Sequence, residues 1–299
     1  MAAPSTPMKY RFLGDSGLLV SQFSYGSWFT GTVDTAYEVM SYGFKNGINF
    51  WDTAEGYSEG AAEKILGEVF HRGVEEKVWT REDLVISTKI FIGTKEGPNN
   101  RGVSRKHLIE GTKASLKRLQ LDYVDVLFCH RSEPYTPIEE TPQYNLFERS
   151  YVEGSYDILY KKYNYGLTTW SPLLFGLLTG KYANGIPEGS RLAESEYVMN
   201  FVRGHLDYLI NQVERLRPIA EELDCSLAQL ALAWCTSNQR VSTVILGASS
   251  VSQLEENLKA LEVVPKLTEE VKARIEAIIP LRLKVATYDH WPLFRSKWL

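Results

Sequence analysis

A carboxylate and a phenol share one short run, Trp51-Asp52-Thr53-Ala54-Glu55-Gly56-Tyr57, which follows an apolar stretch. Two later stretches of the same kind end in an ammonium, Lys89, and an imidazole, His130. Groups at the ends of successive parallel strands converge on one point, and these four suit delivery of a proton to a carbonyl oxygen. Tyr57 would donate it. The ordinary phenol pKa is about 10, and a neighbouring cation is expected to lower it by stabilising the phenolate. Lys89 supplies that charge, Asp52 holds the lysine, and His130 hydrogen-bonds the substrate oxygen or relays a proton. The set needs no metal and no covalent nucleophile, and it suits reduction of an aldehyde or ketone by hydride from a bound nicotinamide. Taken singly, Asp52 reads as a helix cap or salt-bridge partner, Tyr57 as a packing residue and His130 as a satisfied buried polar group. Only the joint pattern carries the chemistry.

Strands and helices must alternate to place those groups, and the chain shows that order. Strands are expected at Leu18–Ser27, Ile48–Asp52, Asp83–Lys89, Val124–His130, Gly166–Trp170 and Val241–Leu246. A helix is expected from Asp34 to Asn46, capped by Asp34 and ended by Gly47. Ser58 is expected to cap a second helix, with Ala62, Ile65, Leu66 and Val69 at helical spacing. Ser104 opens a third. Ser226 with Gln229, and Ser252 with Glu255, fit capping boxes. A strand–helix alternation implies a parallel sheet, and chemistry repeated at strand C-termini favours a (β/α)8 TIM-type barrel over a doubly wound sheet. No Gly-x-Gly-x-x-Gly follows the first strand, which weighs against a Rossmann domain.

Composition narrows the class further. The chain has 299 residues, 44% apolar and 23% charged, which suits a soluble globular protein with a large core. A net charge of -4 without a basic face argues against a nucleic-acid partner. Cys129, Cys225 and Cys235 are widely spaced and odd in number, so neither a disulfide framework nor a metal site is expected. The most apolar stretch, Leu173 to Leu178, is too short to cross a bilayer, and the start lacks a basic-then-apolar leader. A cytoplasmic chain without membrane insertion is the expectation.

The runs NFWDTAEGYSEGAAEKILGE, LVISTKI, LDYVDVLFCHR, LTTWSPL, LTGKY and ILGASSVSQLEEN resemble the aldo-keto reductases. The branch they most resemble contains the β-subunits of voltage-gated potassium channels and their microbial relatives, and the resemblance runs from Tyr10 to about Leu267. It implies one reductase domain over residues 1–299, NADPH as cofactor and a small-molecule carbonyl compound as substrate. General carbonyl detoxification or secondary metabolism would suit such an activity. The family's catalytic set falls on Asp52, Tyr57, Lys89 and His130, with Tyr57 as general acid. Channel β-subunits typically carry Asn where His130 stands, so this residue resembles the enzymatic members; a cofactor-sensing regulatory subunit is the alternative.

On the cofactor side, Trp170, Ser171, Pro172 and Leu173 resemble the segment lining the nicotinamide and pyrophosphate, and Trp28 is assigned with them. Lys181 and Arg191 resemble the cations near the adenosine phosphate and would favour a 2′-phosphate. Gly247, Ser249, Gln253, Glu256 and Asn257 resemble the adenosine-binding strand end and helix, whose N-terminus suits a phosphate.

The chain departs from the resemblance after His130. RSEPYTPIEET runs directly into PQYNLFERSYVEGSY, so an internal segment with strands five and six is missing at the 141/142 junction. Between His130 and Gly166 no strand is evident, and one helical stretch is expected near Val152 to Tyr163. About six of eight strands remain. Strand number, shear and diameter are linked, so the remnant cannot keep the full barrel's geometry. An open edge is expected to expose backbone groups and apolar side chains unless the sheet is rebuilt or a homo-oligomer covers it. The abrupt join favours an internal skip.

Overall fold

Valine, isoleucine, threonine and aromatic residues dominate the strands, and five strands of the main sheet are almost wholly buried, as in a parallel sheet covered on both faces. The computed structural model describes residues 8–28, 31–131, 143–156, 160 and 166–283. A two-stranded antiparallel hairpin, β1 (Tyr10–Phe12) and β2 (Leu19–Ser21), precedes the sheet. The sheet itself holds β3 (Phe23–Gly26), β4 (Phe50–Asp52), β5 (Val85–Ile90), β6 (Val126–Cys129), β7 (Leu167–Thr169) and β8 (Val241–Leu246). All neighbours are parallel, in the order β6-β5-β4-β3-β8-β7. This curled six-stranded sheet is an incomplete (β/α)8 barrel.

Register decides which side chains meet. Gly26, Asp52 and Ser87 are direct partners across β3, β4 and β5, so they share the inner face. Lys89 lies two residues beyond Ser87 and points the same way. Trp51 and Ile86, on the opposite face, pack with the buried residues Leu66, Val69 and Phe70 of the helix α2 (Ala61–Glu75) in the apolar core. α1 (Val33–Lys45) and α3 (Arg105–Leu119) complete the cover beside α2.

Several local expectations are corrected. The stretch Leu18–Ser27 is two strands: Gln22 donates its N–H to the Lys9 carbonyl and accepts from the Val244 N–H, which turns the chain from hairpin to sheet. Thr32, not Asp34, caps α1; its extended backbone brings Oγ1 to the Thr35 N–H, and Asp34 pairs with Arg72 at 2.9 Å. Gly47 does end that helix turn, at φ 89°. Ser58 does not cap α2. Tyr57–Gly60 forms a tight turn with Ser58 and Glu59 at φ 48° and 54°, and Gly60 at φ 90° starts the helix. Ser250, not Ser252, caps the helix Val251–Leu258, because its extended backbone lets Oγ accept from the Gln253 N–H.

The junction at 141/142 lies outside the described residues, as does half of the expected helix near Val152 to Tyr163; its start is a π-helical turn, Tyr151–Ser155. Gln143 forms a single parallel bridge with Trp170, and the Tyr144 N–H donates to the Trp170 carbonyl, so the PQYN run lies beside the end of β7. At the other edge, β6 is only partly covered and Leu127 is 44% exposed, as an open edge predicts.

Candidate active site

β4 and β5 deliver the first three groups. Lys89 Nζ donates to Asp52 Oδ2 at 2.5 Å, to the Thr53 carbonyl at 2.7 Å and to the Tyr57 hydroxyl at 3.1 Å, which uses all three ammonium hydrogens. Ser87 Oγ donates to Asp52 Oδ1 at 2.7 Å and fixes the carboxylate from its other side. His130, immediately after β6, sits edge-on to Tyr57 with ring centroids 5.7 Å apart. Its backbone N–H donates to the Ile90 carbonyl, while Nδ1 is buried without a hydrogen-bond partner. Trp28 stacks on Tyr57 at 6.1 Å with 19° between the rings. The four residues expected to act together are therefore brought together, and Trp28 joins them at the phenol.

Electrostatics corrects one expectation. Burial raises the Tyr57 phenol above its ordinary range; Lys89 pulls it back but does not outweigh the desolvation. Burial opposes charge on Lys89, yet Asp52 and Tyr57 together raise its pKa, so it stays an ammonium. Burial, then the cations Lys89 and Arg131, hold His130 well below the ordinary imidazole value. At neutral pH the constellation is thus a protonated phenol, a fixed ammonium and a neutral imidazole. An oxygen that already accepts from Lys89 directs its own hydrogen elsewhere.

Of the residues expected on the cofactor side, Trp170 and Ser171 directly follow β7, and Gly247 and Ser249 follow β8. Ser171 adopts φ 56°, and its Oγ is buried without a partner. Pro172 is buried and Leu173 half-buried behind it. Ser190 Oγ is likewise buried and unsatisfied, and Arg191 begins a short helix as a half-buried cation. Lys181 is exposed, with Nζ 5.1 Å from the centre of the Tyr182 ring. A Cβ built on Gly247 would meet nothing nearer than the Arg191 guanidinium, 4.0 Å away, so this strand end opens onto space beside a cation. Ser249 donates its N–H to Gln253 Oε1 at 2.9 Å. Glu256 accepts from Gln229 at 2.8 Å, and Asn257 is buried, so these two also tie their helix to the fold.

Sequence reasoning did not pick out three supporting residues. Ser87 carried a parity signal, two residues before Lys89 on the same strand. Asn145, fully buried, donates Nδ2 to the Ser171 carbonyl at 2.9 Å and accepts from the Phe147 and Glu148 N–H groups. Arg131 lies 6.0 Å from the centre of the Trp170 ring and adds positive charge to the site. Among the described residues no group of three or more His, Cys, Asp or Glu could hold a metal ion, and no helix is long and apolar enough to cross a membrane.

A parallel-stranded barrel with a Tyr–Lys–Asp–His cluster at its strand ends defines a class of carbonyl-directed oxidoreductases. The aldo/keto reductase family model matches residues 23–143 and 141–280, and the chain belongs to that family. Proteins of Oryza sativa subsp. japonica and Arabidopsis thaliana, each named a probable voltage-gated potassium channel subunit beta, are 43% identical over 93% of this chain and 98% of their own. The alignments span 327 positions, more than the 299 residues here, so the relatives carry residues with no counterpart in this chain. The aldo-keto reductase AKR11C1 from Bacillus halodurans, solved in its holo form, has a TM-score of 0.70 at 26% identity, covering 95% of this chain and 99% of that one.

Proposed function

We propose that this chain is an NADPH-dependent reductase that converts an aldehyde or ketone to an alcohol, with Tyr57 as general acid. The observation that carries the reading is the Asp52–Lys89–Tyr57 chain of hydrogen bonds, at 2.5 and 3.1 Å, with the neutral His130 beside it. When bound, the nicotinamide supplies hydride to the carbonyl carbon. Tyr57 gives its proton to the carbonyl oxygen, and Lys89 stabilises the resulting phenolate. Asp52 keeps the ammonium charged, and His130 orients the oxygen through its imidazole.

Two buried hydroxyls without partners, Ser171 and Ser190, and the half-buried Arg191 beside the open end of β8 fit a phosphate-bearing dinucleotide. Trp170 to Leu173 would hold its nicotinamide half, with Trp28 beside Tyr57. Lys181, Arg191, Gly247, Ser249, Gln253, Glu256 and Asn257 would hold its adenosine half. The 2′-phosphate preference rests on Lys181 and Arg191. We assign the chain to the cytoplasm as one domain over residues 1–299.

Tyr57→Phe tests the reading. NADPH oxidation with an aldehyde panel should fall on the order of 100- to 10,000-fold, while NADPH binding by fluorescence stays unchanged. Parent protein that oxidises no NADPH across the panel would sink the assignment. A second reading, a cofactor-sensing regulatory subunit, draws on the 43% identity to proteins named as channel β-subunits. It requires tight NADPH binding with negligible turnover and a stable complex with a membrane protein.

A further inference from the structure

Glu55 lies three residues after Asp52 and two before Tyr57, and it is only 2% exposed. The proposed reduction does not use it. Its Oε1 accepts from the Phe91 N–H at 2.6 Å, the Gly93 N–H at 2.9 Å and His107 Nε2 at 3.0 Å. His107 is itself buried on α3. The Glu55 N–H donates to the Lys89 carbonyl at 3.1 Å. The Tyr57 loop is therefore tied to β5 twice: once by backbone at Lys89, and once by a side chain where the strand has ended.

The surroundings fit that tie closely. A Cβ on Gly111 of α3 would come 3.0 Å from Glu55 Oε2, so a glycine lets the carboxylate approach the helix. On the other side, a Cβ on Gly56 would meet Ile92 at 2.8 Å, so the Phe91–Gly93 segment is seated directly on the peptide before Tyr57. Tyr57 then enters a turn whose next two residues sit at positive φ. Such a turn persists only where its surroundings over-determine it. A buried carboxylate is costly unless fully paired, and here its three donors come from the β5 loop and α3, the elements bordering the acid.

We propose that Glu55 and His107 form a positioning clamp that holds the Tyr57 phenol at its working distance from Lys89. The clamp touches no reacting atom and acts through the Gly56–Tyr57 segment. It rests on Tyr57 being the proton donor of the proposed reduction.

The test uses Glu55→Ala, Glu55→Gln, His107→Ala and His107→Gln in the full chain, saturated with NADPH and assayed with 4-nitrobenzaldehyde. A displacement of about 1 Å costs on the order of 100-fold in rate, so Glu55→Ala should lose about that factor in kcat, with KM and NADPH affinity within about threefold. Glu55→Gln, whose amide oxygen still accepts both loop N–H groups, should keep most of kcat. His107→Gln, which can place an N–H near the Nε2 position, should recover activity that His107→Ala loses. In parallel, the phenol titration of each variant is read as an absorbance difference against the same protein carrying Tyr57→Phe. Glu55→Ala should shift it upward by about one unit as the phenol leaves Lys89. The clamp is overturned if folded Glu55→Ala keeps both kcat and the titration of the parent. It is also overturned if kcat and cofactor affinity fall together in proportion to the folded fraction. If the parent oxidises no NADPH, the reductase reading fails and the titration alone decides the clamp.

Discussion

Replacing Lys89 with Met removes a buried cation and keeps a side chain of similar length. The ammonium is 3% exposed, and its three hydrogen bonds go to Asp52, the Thr53 carbonyl and Tyr57. Without it the Asp52 side chain, 4% exposed, keeps the Ser87 hydroxyl at 2.7 Å as its remaining side-chain donor. Breaking a buried ion pair from one side costs about 3–5 kcal/mol, because the remaining charge is left uncompensated. Three hydrogen bonds from a charged donor, at about 1.5–3 kcal/mol each, would exceed that, but the ammonium's own desolvation is no longer required and offsets part of the loss. About 4 kcal/mol is the expected destabilisation, or roughly 8 °C at about 2 °C per kcal/mol for a large domain. Urea midpoints of the cofactor-free protein measure it, with Asp52→Asn and the double variant completing a cycle. The double variant removes both charges, so the coupling energy should be at least about 2 kcal/mol. A loss below about 1 kcal/mol for Lys89→Met, or simple additivity in the double variant, would refute the claim that this pair is a closed, mutually dependent unit.

His130 gives a pH signature. Its folded pKa is depressed, so the unfolded chain takes up the proton first as pH falls below the ordinary value of 6.5. Its contribution is fully present above that value and is lost as pH falls toward the folded pKa. His130→Asn should flatten the acid side of the stability–pH curve by up to about 1.4 kcal/mol per pH unit, read from urea midpoints. Arg191→Ala should weaken NADPH binding by about tenfold or more and leave NADH binding nearly unchanged, read by fluorescence titration; an equal loss for both would remove the 2′-phosphate assignment.

The sheet was legible because each strand of the parallel sheet announces itself locally. Val241–Leu246 and Val85–Ile90 are apolar or β-branched except at Ser242, Ser87 and Lys89. The cluster was legible only jointly: each of Asp52, Tyr57, Lys89 and His130 has an ordinary structural use, but all four recur at or just past the ends of buried runs. What escaped was set by partners distant in sequence. Nothing in Ser58-Glu59-Gly60 announces three left-handed residues in succession, directly after a Tyr57 hydroxyl that accepts from Lys89. The Ser250 cap and the break at Gln22 likewise depend on backbone angles that side-chain type does not fix. The raised phenol pKa is a contest between burial and Lys89, and sequence reveals the cation but not the depth of burial.

The position of the open seam determines what the shortening does to the site. Asp52 and Lys89 lie on β4 and β5, which are paired on both sides within the sheet, and Tyr57 lies in the turn after β4, tied to β5 by the Glu55 N–H on the Lys89 carbonyl. His130 and Trp170 follow β6 and β7, the two edge strands, so the seam passes directly between them. Among the described residues no strand ladder joins β6 to β7; the contacts near the seam are the bridge from Gln143 to Trp170, the Tyr144 N–H on the Trp170 carbonyl, Asn145 on the Ser171 carbonyl, and Arg131 lying 6.0 Å from the Trp170 ring. Proton donation should thus be held more rigidly than the groups that orient oxygen and cofactor. Amide hydrogen exchange tests this directly. The β4 and β5 amides should be protected on the order of 100-fold more strongly than those of β6, because opening an edge strand breaks one ladder and opening an interior strand breaks two. NADPH, whose assigned contacts reach from Tyr57 to the ends of β7 and β8, should narrow that difference when added. Equal protection in β5 and β6 without cofactor would mean that the seam is closed by contacts outside the described residues. The weakness inferred for His130 and Trp170 would then be wrong.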